Sequence, residues 1–139
     1  MMTLGRTIFE TALAVRPDDI DMNQHVHASR YQDYLMAARY DQMDRCYGMS
    51  MDAFAALGFG WFVHSFHIEY KRALKMGDRF RVLTWVEEFL GDGVVVRFEM
   101  KRDPGGKVCC SGSSRYTLIQ LASGRASPLP PEIIEKYAV

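Results

Sequence analysis

Asp19-Ile20-Asp21-Met22-Asn23-Gln24-His25-Val26-His27 is the densest run of chemically capable side chains in this sequence. Asp21, Asn23 and His25, two residues apart in turn, supply an acceptor, an amide that donates and accepts, and a titratable imidazole. Those are the parts of a site that activates water. A helix is expected directly after them. Free N–H groups at a helix start, with the positive end of the dipole, hold an oxygen that becomes negative in a transition state. The combination suits attack by water on a carbonyl. Asp and Asn ahead of a helix also serve as caps and turn formers with no reactive role, and spacing alone leaves both readings open.

The elements that must position this run follow from periodicity. Thr7 to Val15 alternates, with Phe9, Thr11, Leu13 and Val15 on one side, and reads as a half-buried strand ended by Arg16-Pro17-Asp18-Asp19. From Ala28 or Ser29 to about Gly48, Tyr31, Tyr34, Leu35, Ala38, Gln42 and Cys46 recur at helical spacing. Arg30, Asp33, Arg39, Asp41 and Asp44 surround that stripe. A short helical turn follows over Met51 to Leu57, and then four alternating runs: Trp61–Lys71, Arg79–Phe89, Val94–Arg102 and Val108–Leu121. Gly91-Asp92-Gly93 and Asp103-Pro104-Gly105-Gly106 punctuate the last three as tight turns of antiparallel hairpins. Pro128-Leu129-Pro130-Pro131 leads into a terminal helix, Glu132 to Tyr137. The order is β-α-β-β-β-β. It predicts an α+β domain, residues 1–139, whose mostly antiparallel five-stranded sheet covers one long helix. Exposed sheet edges in so small a unit predict a homodimer.

Composition narrows the function classes. The 139 residues are 48% hydrophobic, enough for a packed core. Seventeen basic against seventeen acidic side chains give a formal charge of +0, which argues against a nucleic-acid binder. Three cysteines, two of them adjacent, are too few for a disulfide scaffold and point to a reducing compartment. Met1 to Glu10 lacks a signal-type apolar stretch, and Ala53 to Ile68 is too short to span a bilayer. A cytoplasmic protein without membrane segments is expected. His25, His27, His64 and His67 lack the cysteine or paired acidic ligands of a zinc set, so no metal is predicted. His64, among Phe62, Phe66 and Ile68, reads as a core residue, and His67 as solvent-facing or pocket-lining. In the strand over Cys109-Cys110 one thiol should be buried and the other exposed. No G-x-S-x-G elbow, G-x-G-x-x-G or phosphate-binding Walker loop is present.

The run Asp19 to Val26, with Tyr31 after it, resembles the D-x-D-x-x-x-H-V signature of hotdog-fold thioesterases of the 4-hydroxybenzoyl-CoA type. Asp21-Met22-Asn23-Gln24-His25 is similar to the D-x-N-x-H of plant acyl-ACP thioesterases. The resemblance extends through Ile68-Glu69-Tyr70-Lys71-Arg72, Gly77-Asp78 and the strand meander. It implies a hotdog fold, a dimer or tetramer with active sites between subunits, and hydrolysis of an acyl-CoA or acyl-ACP thioester without a cofactor. Asp21 matches the family's catalytic carboxylate, acting as general base or nucleophile. Asn23 and His25 match the residues that assist it in the acyl-ACP enzymes. Backbone N–H groups near Ala28 to Tyr31 would polarise the thioester oxygen. Two positions depart from the pattern: His27 replaces the usual asparagine, and Ala73 stands where the plant enzymes have an acidic residue. His27, Tyr31, His67, Lys71 and Arg72 are the expected substrate-binding residues, the two cations for the carrier's phosphates. Asp19 is expected to brace the loop. The rival readings are a hydratase or dehydratase on the same fold, using an Asp and a His, and a non-catalytic acyl-thioester binding module.

Overall fold

The computed structural model describes residues 7–139, so the reading of the first six residues as no signal lies outside the described residues. Five strands form one antiparallel sheet: β1 (Phe9–Ala14), β2 (Phe59–Tyr70), β3 (Arg79–Phe89), β4 (Gly93–Asp103) and β5 (Lys107–Gln120), in spatial order β1-β3-β4-β5-β2. The helices are α1 (Arg30–Arg45), α2 (Met51–Ala56) and α3 (Pro131–Tyr137). The expected α+β order is therefore present, with β3-β4-β5 as successive hairpins and β1 and β2 at the edges.

α1 lies against the sheet through its apolar stripe. Tyr34 meets Phe80 edge to face at 5.1 Å, and Tyr31, Leu35 and Ala38 are buried with them. Gln42 is fully buried in that stripe, yet it is satisfied: its Nε2 donates to Thr11 Oγ1 at 3.1 Å, and its Oε1 accepts from Thr84 Oγ1. A buried amide bonded to both β1 and β3 fixes the helix over the sheet, because leaving it unpaired would be costly. One core cluster underlies the Asp19–Val26 run and contains Val26, Leu74 and Phe80. A second lies at the other end and is closed by Ile133 and Tyr137 of α3.

Three expectations fail. His64 is exposed, because the β2–β5 register shifts between Val63 and Ser65. A bulge there adds one residue, so Trp61 and Val63 share the inner side with Phe66 and Ile68, and His64 and Phe62 face out. Cys109 and Cys110 are both buried rather than one, and the cause is again a shift, between Met100 and Lys101, that skips Cys109 in the β4 pairing. Arg39, read among the polar residues around the stripe, is 4% exposed.

Burial makes the molecule sensitive to alkali. It pushes the Tyr34 and Tyr137 hydroxyls up to about 12, and the Cys110 thiol also to about 12. The unfolded chain releases these protons first, so stability is held below the ordinary thiol and phenol range and falls as pH rises. Thermal melts should show a steep loss between about pH 9 and about pH 12, and Tyr137→Phe should flatten it. A melting temperature constant across that range would contradict this reading.

Candidate active site

The Asp19–His27 run folds as a miniature hairpin. Ile20 pairs with Val26, Asp21 N–H donates to His25 O at 2.8 Å, and His27 N–H donates to Asp19 O at 2.8 Å. Gln24 takes the left-handed conformation, φ +62°, at the tip. The Asp21 side chain organises this turn: its Oδ1 accepts from Asn23 N–H at 2.9 Å and His25 N–H at 3.3 Å. The turn-forming role weighed above is therefore real, and it occupies one carboxylate oxygen. Oδ2 makes no hydrogen bond to another described residue. A second seam ties the hairpin to the segment after β2, with His25 bridging Lys75 and Val26 N–H donating to Leu74 O at 2.8 Å.

Asp19 braces the hairpin from beneath. It is 9% exposed, accepts from the Tyr34 hydroxyl at 2.6 Å and lies 3.5 Å from Arg30. The same hydroxyl accepts from Arg16 N–H at 3.1 Å, so one phenol on α1 holds both ends of the Pro17–Asp19 turn. Tyr34→Phe leaves a buried carboxylate and an amide short of a partner and should cost about 1–3 kcal/mol in a urea melt. A loss below a few tenths would show that water replaces the hydroxyl.

A cleft of about 310 Å³ opens beside this hairpin. Asp21, His25, Ala28 and Tyr31 line one wall, and Tyr70, Lys71, Arg72 and Ala73 the other. Tyr31 and Tyr70 meet edge to face at 5.2 Å across it. Both rings are anchored: Leu74 N–H donates to the Tyr31 hydroxyl at 3.1 Å, and the Tyr70 hydroxyl donates to Ala28 O at 2.9 Å. Tyr31, 3% exposed, is thus both core and cleft wall. Tyr70 was passed over as a site residue, although its place before Lys71-Arg72 marked it. Lys71 and Arg72 are exposed at the rim, their amides both donating to Cys109 O.

Three of the expected residues stand apart from that cleft. Asn23 is exposed at the hairpin tip and faces a neighbouring hollow with Lys75 and Met76, while His25 borders both. His27 is turned toward the helix start, where its Nδ1 accepts from Ser29 N–H at 3.3 Å and contacts Ser29 Oγ at 2.8 Å. Nδ1 of histidine and Oδ1 of asparagine lie equally far from Cβ, so this departure from the pattern preserves an acceptor for the same amide. His67 is exposed on β2, 3.8 Å from Glu69. At the helix start the amides of Ser29 and Arg30 are both engaged with His27, whereas Ala28 N–H, in the cleft wall, bonds no described residue. Among the described residues, no three His, Cys, Asp or Glu side chains converge as a metal-ligand set.

A family model described as the thioesterase-like superfamily matches residues 15–137. The chain belongs to this superfamily. It is 24% identical over 127 residues to the long-chain acyl-CoA thioesterase FadM of Escherichia coli K12, covering 91% of this chain and 95% of that protein. The Staphylococcus aureus DHNA-CoA thioesterase superposes with a TM-score of 0.87 at 21% identity, over 94% of this chain and 88% of the other. A second S. aureus protein, solved in complex with CoA, gives 0.83 at 18% identity, over 94% and 82% of the two chains. The fold is the hotdog fold that the sequence resemblance implied. Among the described residues, no helix of this superfamily member is long and apolar enough to cross a membrane.

Proposed function

We propose that this superfamily member is an acyl-CoA thioesterase, hydrolysing an acyl thioester to free acid and thiol with Asp21 as the reacting carboxylate. The observation that carries the reading is Asp21 itself: one oxygen is locked in the turn, the other is unpaired, and the residue lines a cleft whose opposite rim is Lys71 and Arg72. A carboxylate held rigidly beside a binding cleft is pre-positioned for water or for the thioester carbon. Ala28 N–H polarises the carbonyl oxygen, and Tyr70, packed on Tyr31, steadies the following peptide through its bond to Ala28 O. Lys71 and Arg72 face the carrier's phosphates. His25 and Asn23 order the turn through their backbones, and the His25 ring borders the thioester.

The working unit is a single domain that assembles as a homodimer or homotetramer, with sites between subunits. Supporting this are the open edge of β2 and the exposed Tyr40, Leu57 and Phe62. His67 faces the same edge region rather than the cleft of its own protomer. A cytoplasmic location accords with Cys46, Cys109 and Cys110 all being free thiols.

The test is thiol release from short, medium, long and aromatic acyl-CoAs, and from the matching acyl-ACPs. Release from at least one CoA ester is expected. Silence across the panel would overturn the reading in favour of a binding module or a hydratase. Single turnover in heavy-oxygen water separates the two routes: a nucleophilic Asp21 acquires the label, whereas a general base delivers it directly to the acid.

A further inference from the structure

A second cavity, of about 330 Å³, opens farther along α1, between that helix, α2 and the β2–β5 side of the sheet. Met36, Met43 and Met51 contribute to its apolar wall, the kind of lining that adapts to a flexible hydrocarbon. Arg39 and Trp61 interrupt it. Arg39 is almost wholly buried, with its guanidinium over the rings of Tyr47 and Tyr116, 5.4 and 5.7 Å from their centroids. No carboxylate among the described residues pairs with it. Arg39 Nη1 and Trp61 Nε1 are buried with no well-formed hydrogen bond, and the acceptors beside them are the Tyr47 and Tyr137 hydroxyls.

Guanidinium and indole nitrogens only donate. The group therefore has a surplus of buried donors and one positive charge that meets tyrosine faces but no carboxylate, a condition that proteins ordinarily relieve by pairing. The wall of a largely apolar cavity is an unusual place to leave it. Such an arrangement is completed by an acceptor that arrives with a ligand. From Arg30, where α1 begins beside the cleft, to Arg39 is about 14 Å along the helix at 1.5 Å per residue. An extended chain of roughly a dozen carbons covers that distance at about 1.3 Å each.

We propose that this cavity takes the far end of the acyl group and that Arg39 and Trp61 donate to a carboxylate there, so that the protein selects acyl chains ending in a carboxylate over plain hydrocarbon chains of equal length. This rests on the thioesterase reading for its substrate, but its first test does not depend on turnover. Monomethyl dodecanedioate and methyl dodecanoate, whose ester stands in for the thioester end, are titrated against the wild-type protein by calorimetry, with Trp61 fluorescence as a second signal. The half-ester with its free carboxylate is expected to bind at least tenfold more tightly. Arg39→Met should erase that preference, Arg39→Lys should keep part of it, and Trp61→Phe should reduce it a few-fold. Equal binding of the two esters by wild type, or an unchanged preference in Arg39→Met, overturns the proposal. If Arg39→Met fails to fold, judged by circular dichroism, Arg39→Lys and Trp61→Phe carry the same test, and an unchanged preference in both overturns it.

The matched CoA thioesters, ω-carboxy and plain, then give the same ratio in kcat/KM. A preference between the two methyl esters without thiol release from any thioester would support the cavity and remove the hydrolysis. Thiol release with no preference in either assay would remove the cavity's role and leave the hydrolysis standing.

Discussion

Asp21→Asn is expected to fold with its melting temperature nearly unchanged and to release thiol about 10²–10⁴-fold more slowly at saturating substrate. The two halves of this result have separate causes. The amide oxygen of asparagine occupies the place of Oδ1 and still accepts from Asn23 and His25 N–H, so the hairpin persists. What disappears is the charge and basicity of the unpaired oxygen. KM should move little, because the rim cations and the tyrosine wall are untouched. Asp21→Ala loses the turn acceptor as well, so it should be destabilised by roughly 1 kcal/mol and give a less interpretable loss of rate. Thiol release followed with a chromogenic thiol reagent, alongside thermal melts, checks both variants. An Asn variant within a few-fold of wild type would remove Asp21 from the chemistry.

The largest stability effect is expected within the sheet itself. Gly112 on β5 pairs with Ile68 on β2, and a Cβ added there would sit on the His67 carbonyl oxygen and 3.0 Å from Ile68 Cα. These are backbone atoms of the neighbouring strand and cannot rotate away, so the β2–β5 ladder has to open. Gly112→Ala should cost roughly 3 kcal/mol. In thermal melts that is a fall of roughly 10 °C. The loss should extend to binding, because the displaced end of β2 carries Tyr70 into Lys71 and Arg72. Gly91→Ala is the control: nothing lies within 4 Å of its added Cβ, and the change should stay within about 0.5 kcal/mol. Equal melting temperatures for the two variants would show that the strands at Gly112 yield without strain.

Element order, hairpin punctuation and the helix stripe were legible because each follows from a period or from a turn residue. Arg79–Phe89 was read to the residue, and α3 from Glu132 was one residue short of its observed start at Pro131. The bulges at His64 and Cys109 were not legible, since an added residue leaves alternation intact on either side and only the partner strand reveals the change of phase. Arg39 was misread because polarity predicts exposure, whereas here tyrosine faces receive the guanidinium. The Asp21 hairpin was located by its residue types. The division of labour between its two oxygens depends on where Asn23 and His25 N–H point, and no spacing encodes that.

The locking of Asp21 Oδ1 by two backbone amides also bears on descent. Aspartate and asparagine codons differ by one transition, and either side chain closes this turn. A hydrolase of this shape therefore lies a single nucleotide from a folded holder of intact thioesters, and the same step in reverse gives such a holder its first turnover. Gene duplication followed by one substitution is enough to separate consumption of an acyl carrier from its storage.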